Sequence, residues 1–139
     1  MRSPPRGAYT RTVTILIADD QKHARSGLRA LVLATLPEAD VREAADGREA
    51  RRLAEELRPD LVLMDVRMPG EDGLAATRWI KARLPSTRVL VLSIDPGSER
   101  DARAAGADAF ACKCESPAGL LSALAGMGLP APQDGPPCG

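Results

Sequence analysis

Aromatic residues are nearly missing from this chain of 139 residues, which has only Tyr9, Trp79 and Phe110. A core built on rings is therefore excluded, and Leu, Val, Ile and Ala must fill it. Net charge is missing as well. The 19 basic and 19 acidic side chains cancel to +0. That balance argues against a dedicated nucleic-acid binder, which usually carries a basic stripe. It also gives no reason for attraction to anionic membranes. No apolar run reaches the roughly 18 residues that cross a bilayer. Residues 1–11 lack the apolar stretch of a secretory signal. Cysteine is scarce and odd in number: Cys112, Cys114 and Cys138. Without a signal these read as reduced thiols in a cytoplasmic protein. The length itself suits one ordinary domain with one continuous core.

What the chain does have is alternation. Val13 to Ala18 is a short β-branched run ending at Asp19-Asp20, as expected of a strand buried on both faces. Ala24, Leu28, Leu31, Val32 and Leu36 follow helical spacing, and Pro37 stops them. Val41–Ala45 reads as a second strand. Ala50, Leu53, Ala54 and Leu57 form a helix from Gly47 that ends before Pro59. Leu61 to Met64 is a third strand, running into Asp65. After a loop over 67–73, a helix carries Leu74, Thr77, Ile80 and Leu84. Val89 to Leu92 is a fourth strand, ending at Ser93. A short, alanine-rich helix is expected at about 98–105, then a strand over 107–112 ending at Lys113. Ser116 and Pro117 suit the cap and first residue of a last helix lined by Leu120, Leu121 and Leu124. Five βα units require a parallel sheet with right-handed crossovers. The fold class is therefore α/β: a doubly wound (βα)5, flavodoxin-like three-layer sandwich, its five-stranded sheet in the order 2-1-3-4-5.

Asp19, Asp20, Asp65, Ser93 and Lys113 all fall at carboxyl ends of strands, which face one crevice in such a sheet. Clustered carboxylates repel one another and call for a counter-ion. A hard, oxygen-seeking cation such as Mg²⁺ fits that need, and Lys113 adds a positive point charge. A carboxylate beside these groups is placed to attack a phosphoryl group, because such transfer depends on positioning and charge neutralisation. Ser93 could hydrogen-bond the arriving oxygen. Taken singly, each residue has a plainer reading: Asp-Asp as a turn, Asp65 as a helix cap, Lys113 as a solvated lysine, Ser93 as a loop residue. Their shared position in successive βα units favours the joint site.

Several motifs carry a family resemblance. They are Asp19-Asp20 after the first strand and Met64-Asp65-Val66-Arg67-Met68-Pro69-Gly70 after the third. Leu92-Ser93 follows the fourth, and Gly106-Ala107-Asp108-Ala109-Phe110 leads to Lys113. Over about residues 13–126 the chain resembles CheY-like receiver domains of bacterial two-component systems. The resemblance implies a receiver over 12–126, between a flexible arm over 1–11 and a disordered Pro/Gly-rich tail over 127–139. It implies Mg²⁺ held by Asp20, Asp65 and the backbone carbonyl of Arg67, with Asp19 acting mainly through metal-bound water. Asp65 corresponds to the phosphoacceptor, served by a sensor histidine kinase. Ser93 and Lys113 correspond to the phosphoryl-binding hydroxyl and amine. Phe110 stands at the aromatic switch position; its plainer reading is a core residue. The expected output is conformational switching toward an unknown protein partner, with self-catalysed phosphotransfer and slow autodephosphorylation rather than turnover of a separate substrate.

The run Lys113-Cys114-Glu115-Ser116-Pro117 is similar to receivers that precede a LuxR-type helix-turn-helix, yet only 13 residues follow Gly126. The expectation is a stand-alone regulator with no direct DNA or membrane binding. The last helix could serve a homodimer or simply the core. The stretch from Ser93 to Gly106 is short, so the fourth helix should pack weakly. Arg67 and Asp95 stand close enough to the site to tune hydrolysis. His23 reads as a surface residue and Trp79 as a partly buried helix residue. Two alternatives remain open. One is a receiver-fold binding module independent of phosphorylation. The other is a Mg²⁺-dependent phosphatase or flavodoxin-like cofactor binder, which the lack of a Gly-rich phosphate loop disfavours.

Overall fold

The computed structural model describes residues 12–68, 70–113 and 117–127, with backbone only at 117 and 118. Tyr9, Cys114, Ser116, Cys138, the arm and all of the tail beyond residue 127 lie outside the described residues. Five strands alternate with helices: β1 (Thr14–Ala18), α1 (Lys22–Thr35), β2 (Asp40–Ala44), α2 (Gly47–Leu57) and β3 (Leu61–Asp65). α3 (Gly73–Arg83), β4 (Arg88–Ser93), α4 (Glu99–Ala104), β5 (Ala109–Cys112) and α5 (Pro117–Ala125) complete the chain. All pairings are parallel, in the order β2-β1-β3-β4-β5. This is the flavodoxin-like sandwich expected from the sequence.

The side-chain period of two splits each central strand between two apolar layers. Leu16, Ala18, Val62, Met64, Val89 and Val91 face α2, α3 and α4, where Ala50, Ala54, Ala76, Ile80 and Ala102 meet them. Ile15, Ile17, Leu61, Leu63, Leu90 and Leu92 face α1 and α5, against Val32, Leu120 and Leu124. Burial on both faces explains why these strands read as continuous apolar runs. Each buried Val, Leu, Ile or Met among them contributes about 1.5–3 kcal/mol. Met127, assigned to the tail from the sequence, is buried in the second layer.

The helices start where their caps dictate. Asp46 accepts the N–H of Glu49, while the Glu49 carboxylate accepts the N–H of Ala45, a reciprocal arrangement opening α2. Asp72 accepts the N–H of Ala75 and opens α3. The fourth helix is short, as expected: a 3₁₀ turn, Pro96–Ser98, leads into α4, whose one buried residue is Ala102. β5 begins later than the sequence suggests. Gly106 turns the chain at φ 103°, and Asp108 spends its carboxylate on the Val89 N–H and Lys81 Nζ. Cys112 is disulfide-bonded, which departs from the expectation of reduced thiols.

Candidate functional site

The sheet order creates the site. β2 lies on one side of β1 and β3 on the other, so the carboxyl ends of β1 and β3 flank the switch point where such folds bind ligands. Ala18 pairs with Met64, so the next residues on each strand, Asp19 and Asp65, stand side by side. β4 and β5 continue the row. Ser93 pairs with Cys112, and the Lys113 N–H donates to the Ser93 carbonyl at 2.7 Å.

Asp19 is 0% exposed and held on every side. Its N–H donates to the Ala44 carbonyl, and its own carbonyl accepts Arg25 Nη1 at 2.8 Å. Oδ1 accepts the Gln21 N–H at 2.9 Å, and Oδ2 accepts Lys113 Nζ at 2.7 Å. Arg25 is fixed in turn by Glu43 at 2.9 Å. Asp65 is 7% exposed, and its Oδ1 lies 3.3 Å from Lys113 Nζ. Asp20 is exposed. One oxygen from each of the three carboxylates falls within a 4.8 Å span.

The electrostatics follow from this crowding. Burial raises the Asp65 pKa above the ordinary carboxylate value. Lys113 opposes that shift, and the charges of Asp19 and Asp20 add to it. For Lys113, burial alone would lower the pKa. The hydrogen bond to Asp19 and the charge of Asp65 outweigh burial, so the pKa is raised and the ammonium is retained.

The loop after Asp65 is pinned close to it. The Val66 N–H donates to the Leu92 carbonyl, and the Gly73 N–H to the Val66 carbonyl. A Cβ at Gly73 would collide with the Asp65 carbonyl oxygen, and one at Gly47 with the Glu71 carbonyl oxygen. The start of α3 is thus pressed against the backbone of Asp65, and α2 against the loop.

Asp19, Asp20, Asp65, Ser93, Lys113 and Arg67 all line one cavity of about 270 Å³. Hard oxygen donors grouped this way suit Mg²⁺ or a similar divalent cation. Two residues expected to serve the site lie apart from the cavity lining: Phe110 is half-buried against the α2–α4 layer, and Asp95 is exposed, its carboxylate accepting the Gly97 N–H; His23 is exposed, as expected. Gln21 and Ile94 also line the cavity but were not picked out from the sequence. Ile94, 59% exposed, is the exposed large hydrophobic among the described residues. An apolar residue just after an apolar strand reads only as more strand. Trp79 is partly buried as expected, and the guanidinium groups of Arg51 and Arg83 lie over its ring, 5.3 Å and 4.9 Å from its centre.

Comparison with known proteins gives a consistent picture. The family described as response regulator receiver domain matches residues 15–125. The transcriptional activator protein ExaE of Pseudomonas putida is 41% identical over 112 residues, 79% of this chain and 52% of that protein. The nitrate/nitrite response regulator protein NarL of Escherichia coli (strain K12) is 36% identical over 113 residues, 80% of this chain and 52% of that protein. The chain thus spans about half the length of these curated relatives. Among solved structures, a LuxR-family two-component response regulator from Aurantimonas sp. SI85-9A1 superposes with a TM-score of 0.76 at 36% identity, covering 82% of this chain and 83% of that one. The chemotaxis response regulator CheY4 of Vibrio cholerae gives 0.75 at 27% identity, covering 84% and 98%.

Proposed function

The chain belongs to the response regulator receiver family, and from that premise we propose that Asp65 accepts a phosphoryl group from the phosphohistidine of a sensor histidine kinase. The observation that carries this reading is the convergence of Asp19, Asp20, Asp65, Ser93 and Lys113 on one cavity. Asp20, Asp65 and the Arg67 carbonyl would hold Mg²⁺. Both oxygens of Asp19 are already engaged, by Gln21 and Lys113, which suits an indirect role through water. When bound, the ion neutralises charge on the phosphoryl oxygens.

The remaining work belongs to the chain. An Asp65 oxygen attacks phosphorus, a P–O bond forms, and the P–N bond to the kinase histidine breaks. Lys113, held by Asp19, keeps its positive charge beside the acceptor. The Ser93 hydroxyl, 3% exposed at the end of β4, turns to donate to a phosphoryl oxygen. That movement repacks the loop after β4 and lets Phe110 turn inward, shifting the population toward the form that an output protein binds. No helix among the described residues is long and apolar enough to cross a membrane.

Titration with Mg²⁺ and beryllofluoride, a phosphoryl mimic, tests the reading. Amide resonances around Asp65, Ser93 and Lys113 should shift in the wild type and stay unmoved in Asp65→Asn. A wild type that ignores the mimic would contradict the reading. An output interaction with the same strength in Asp65→Asn would instead favour a binding module independent of phosphorylation. The short, thinly packed α4 is the feature consistent with that alternative.

A further inference from the structure

The Ser93 hydroxyl is committed elsewhere in the structure. Ser93 Oγ accepts the Asp95 N–H at 3.0 Å and donates its one proton toward Ser98 Oγ at 3.4 Å. Ser98 is fixed from the other side, its N–H donating to the Asp95 carbonyl at 3.0 Å. The Asp95 carboxylate accepts the Gly97 N–H at 2.9 Å. Residues 93–98 therefore form a closed, hydrogen-bonded turn with the Ser93 hydroxyl as its hub.

Ser98 ends the 3₁₀ turn and runs straight into α4 with helical backbone angles, φ −74° and ψ −7°, while Asp95 caps the turn from its start. Its side chain makes no bond to the N–H groups of α4, and its oxygen faces Ser93. α4 has little else to hold it, since only Ala102 is buried.

We infer that Ser98 is a positioning residue for phosphoryl binding: its hydroxyl oxygen competes with the phosphoryl oxygen for the single Ser93 proton and so favours the resting arrangement. The inference rests on the phosphoacceptor reading and names a regulator of that site. A hydroxyl has one proton to donate, so Ser93 serves Ser98 or the phosphoryl group, not both. A charged phosphoryl oxygen is the stronger acceptor and wins once present. Until then Ser98 weights the equilibrium against it. At 3.4 Å the bond is longer than a good O–H···O contact, so its weight is modest.

The test compares wild type, Ser98→Ala, Ser98→Thr, Ser93→Ala and the Ser93→Ala/Ser98→Ala double variant. Each is titrated with beryllofluoride at saturating Mg²⁺ and followed by amide resonances. Ser98→Ala should bind the mimic about two- to fivefold more tightly, from the loss of one modest hydrogen bond. Ser98→Thr, which keeps the hydroxyl, should match wild type. With Ser93→Ala there is no proton to compete for, so adding Ser98→Ala should change nothing. Equal affinity of wild type and Ser98→Ala overturns the inference, as does an equal gain in the Ser93→Ala background. A second readout needs no ligand: hydrogen exchange at the Asp95 N–H should quicken in Ser98→Ala, and unchanged exchange also counts against it. A wild type that fails to bind beryllofluoride, beside quickened exchange in Ser98→Ala, would sink the phosphoacceptor reading while leaving the turn as described.

Discussion

Asp65 is a buried carboxylate whose charge the fold disfavours, because burial and two neighbouring acids outweigh Lys113. A carboxyl with a raised folded-state pKa contributes stability while protonated, and that contribution is lost as pH rises through the folded value. At neutral pH, without metal, the ionised group therefore weakens the fold. Asp65→Asn should be more stable than wild type under those conditions, read as a higher urea midpoint at pH 7 in EDTA. The advantage should shrink as pH falls toward ~3.9, the ordinary carboxyl value, and vanish well below it, where the carboxyl is protonated folded and unfolded alike. Mg²⁺ should also narrow it, by stabilising wild type more. A wild type more stable than Asp65→Asn at pH 7 in EDTA would show that the Lys113 contact dominates instead. Asp65 was legible in the sequence as the end of an apolar run. Its crowding followed from the shared strand ends; the 3.3 Å approach of Lys113, just past β5, to Asp65 did not, because it depends on side-chain positions that only coordinates give. Ser98 was illegible too, because only coordinates show its hydroxyl facing Ser93.

Among the elements, α3 bears most directly on the acceptor. Its first residue, Gly73, has no room for a Cβ beside the Asp65 carbonyl. Gly73→Ala should cost about 1–3 kcal/mol or more, the range for forced overpacking, and should reduce phosphoryl-mimic binding by moving Asp65. Denaturant unfolding and the same titration check both effects. Full stability would mean that the loop yields easily. The Asp46 cap of α2 lies outside the cavity lining and separates the two effects. Asp46→Ala should cost about 0.5–2 kcal/mol and leave mimic binding intact. Most element positions followed from apolar period and proline stops. The exceptions have local causes: Asp108 gives its carboxylate to the β4 backbone and Lys81, delaying β5, and Met127 packs where a Gly/Pro-rich stretch promised none. The disulfide at Cys112 was beyond reach, since pairing depends on distance rather than on cysteine count.

Across the whole molecule, residues as far apart as Asp19 and Lys113 meet at 2.7 Å because parallel strands all end at one edge of the sheet. The sequence implied that convergence through its βα repeats, and so implied the fold and the site together. The site adds a linkage to global stability. Mg²⁺ that binds only the folded chain should raise its stability by about 1.4 kcal/mol at ten times the dissociation constant, and Asp20→Asn should weaken that gain. Thermal unfolding across a Mg²⁺ series measures it; a flat response in wild type would speak against a metal site. The most direct measurement concerns the covalent bond itself. Wild type and Asp65→Asn are incubated with Mg²⁺ and a small acyl phosphate, then compared by intact mass and by peptide mapping. Wild type should gain one phosphoryl group on the peptide containing Asp65, and the variant should gain none. Equal labelling of both chains, or none in either, would contradict Asp65 as the phosphoacceptor.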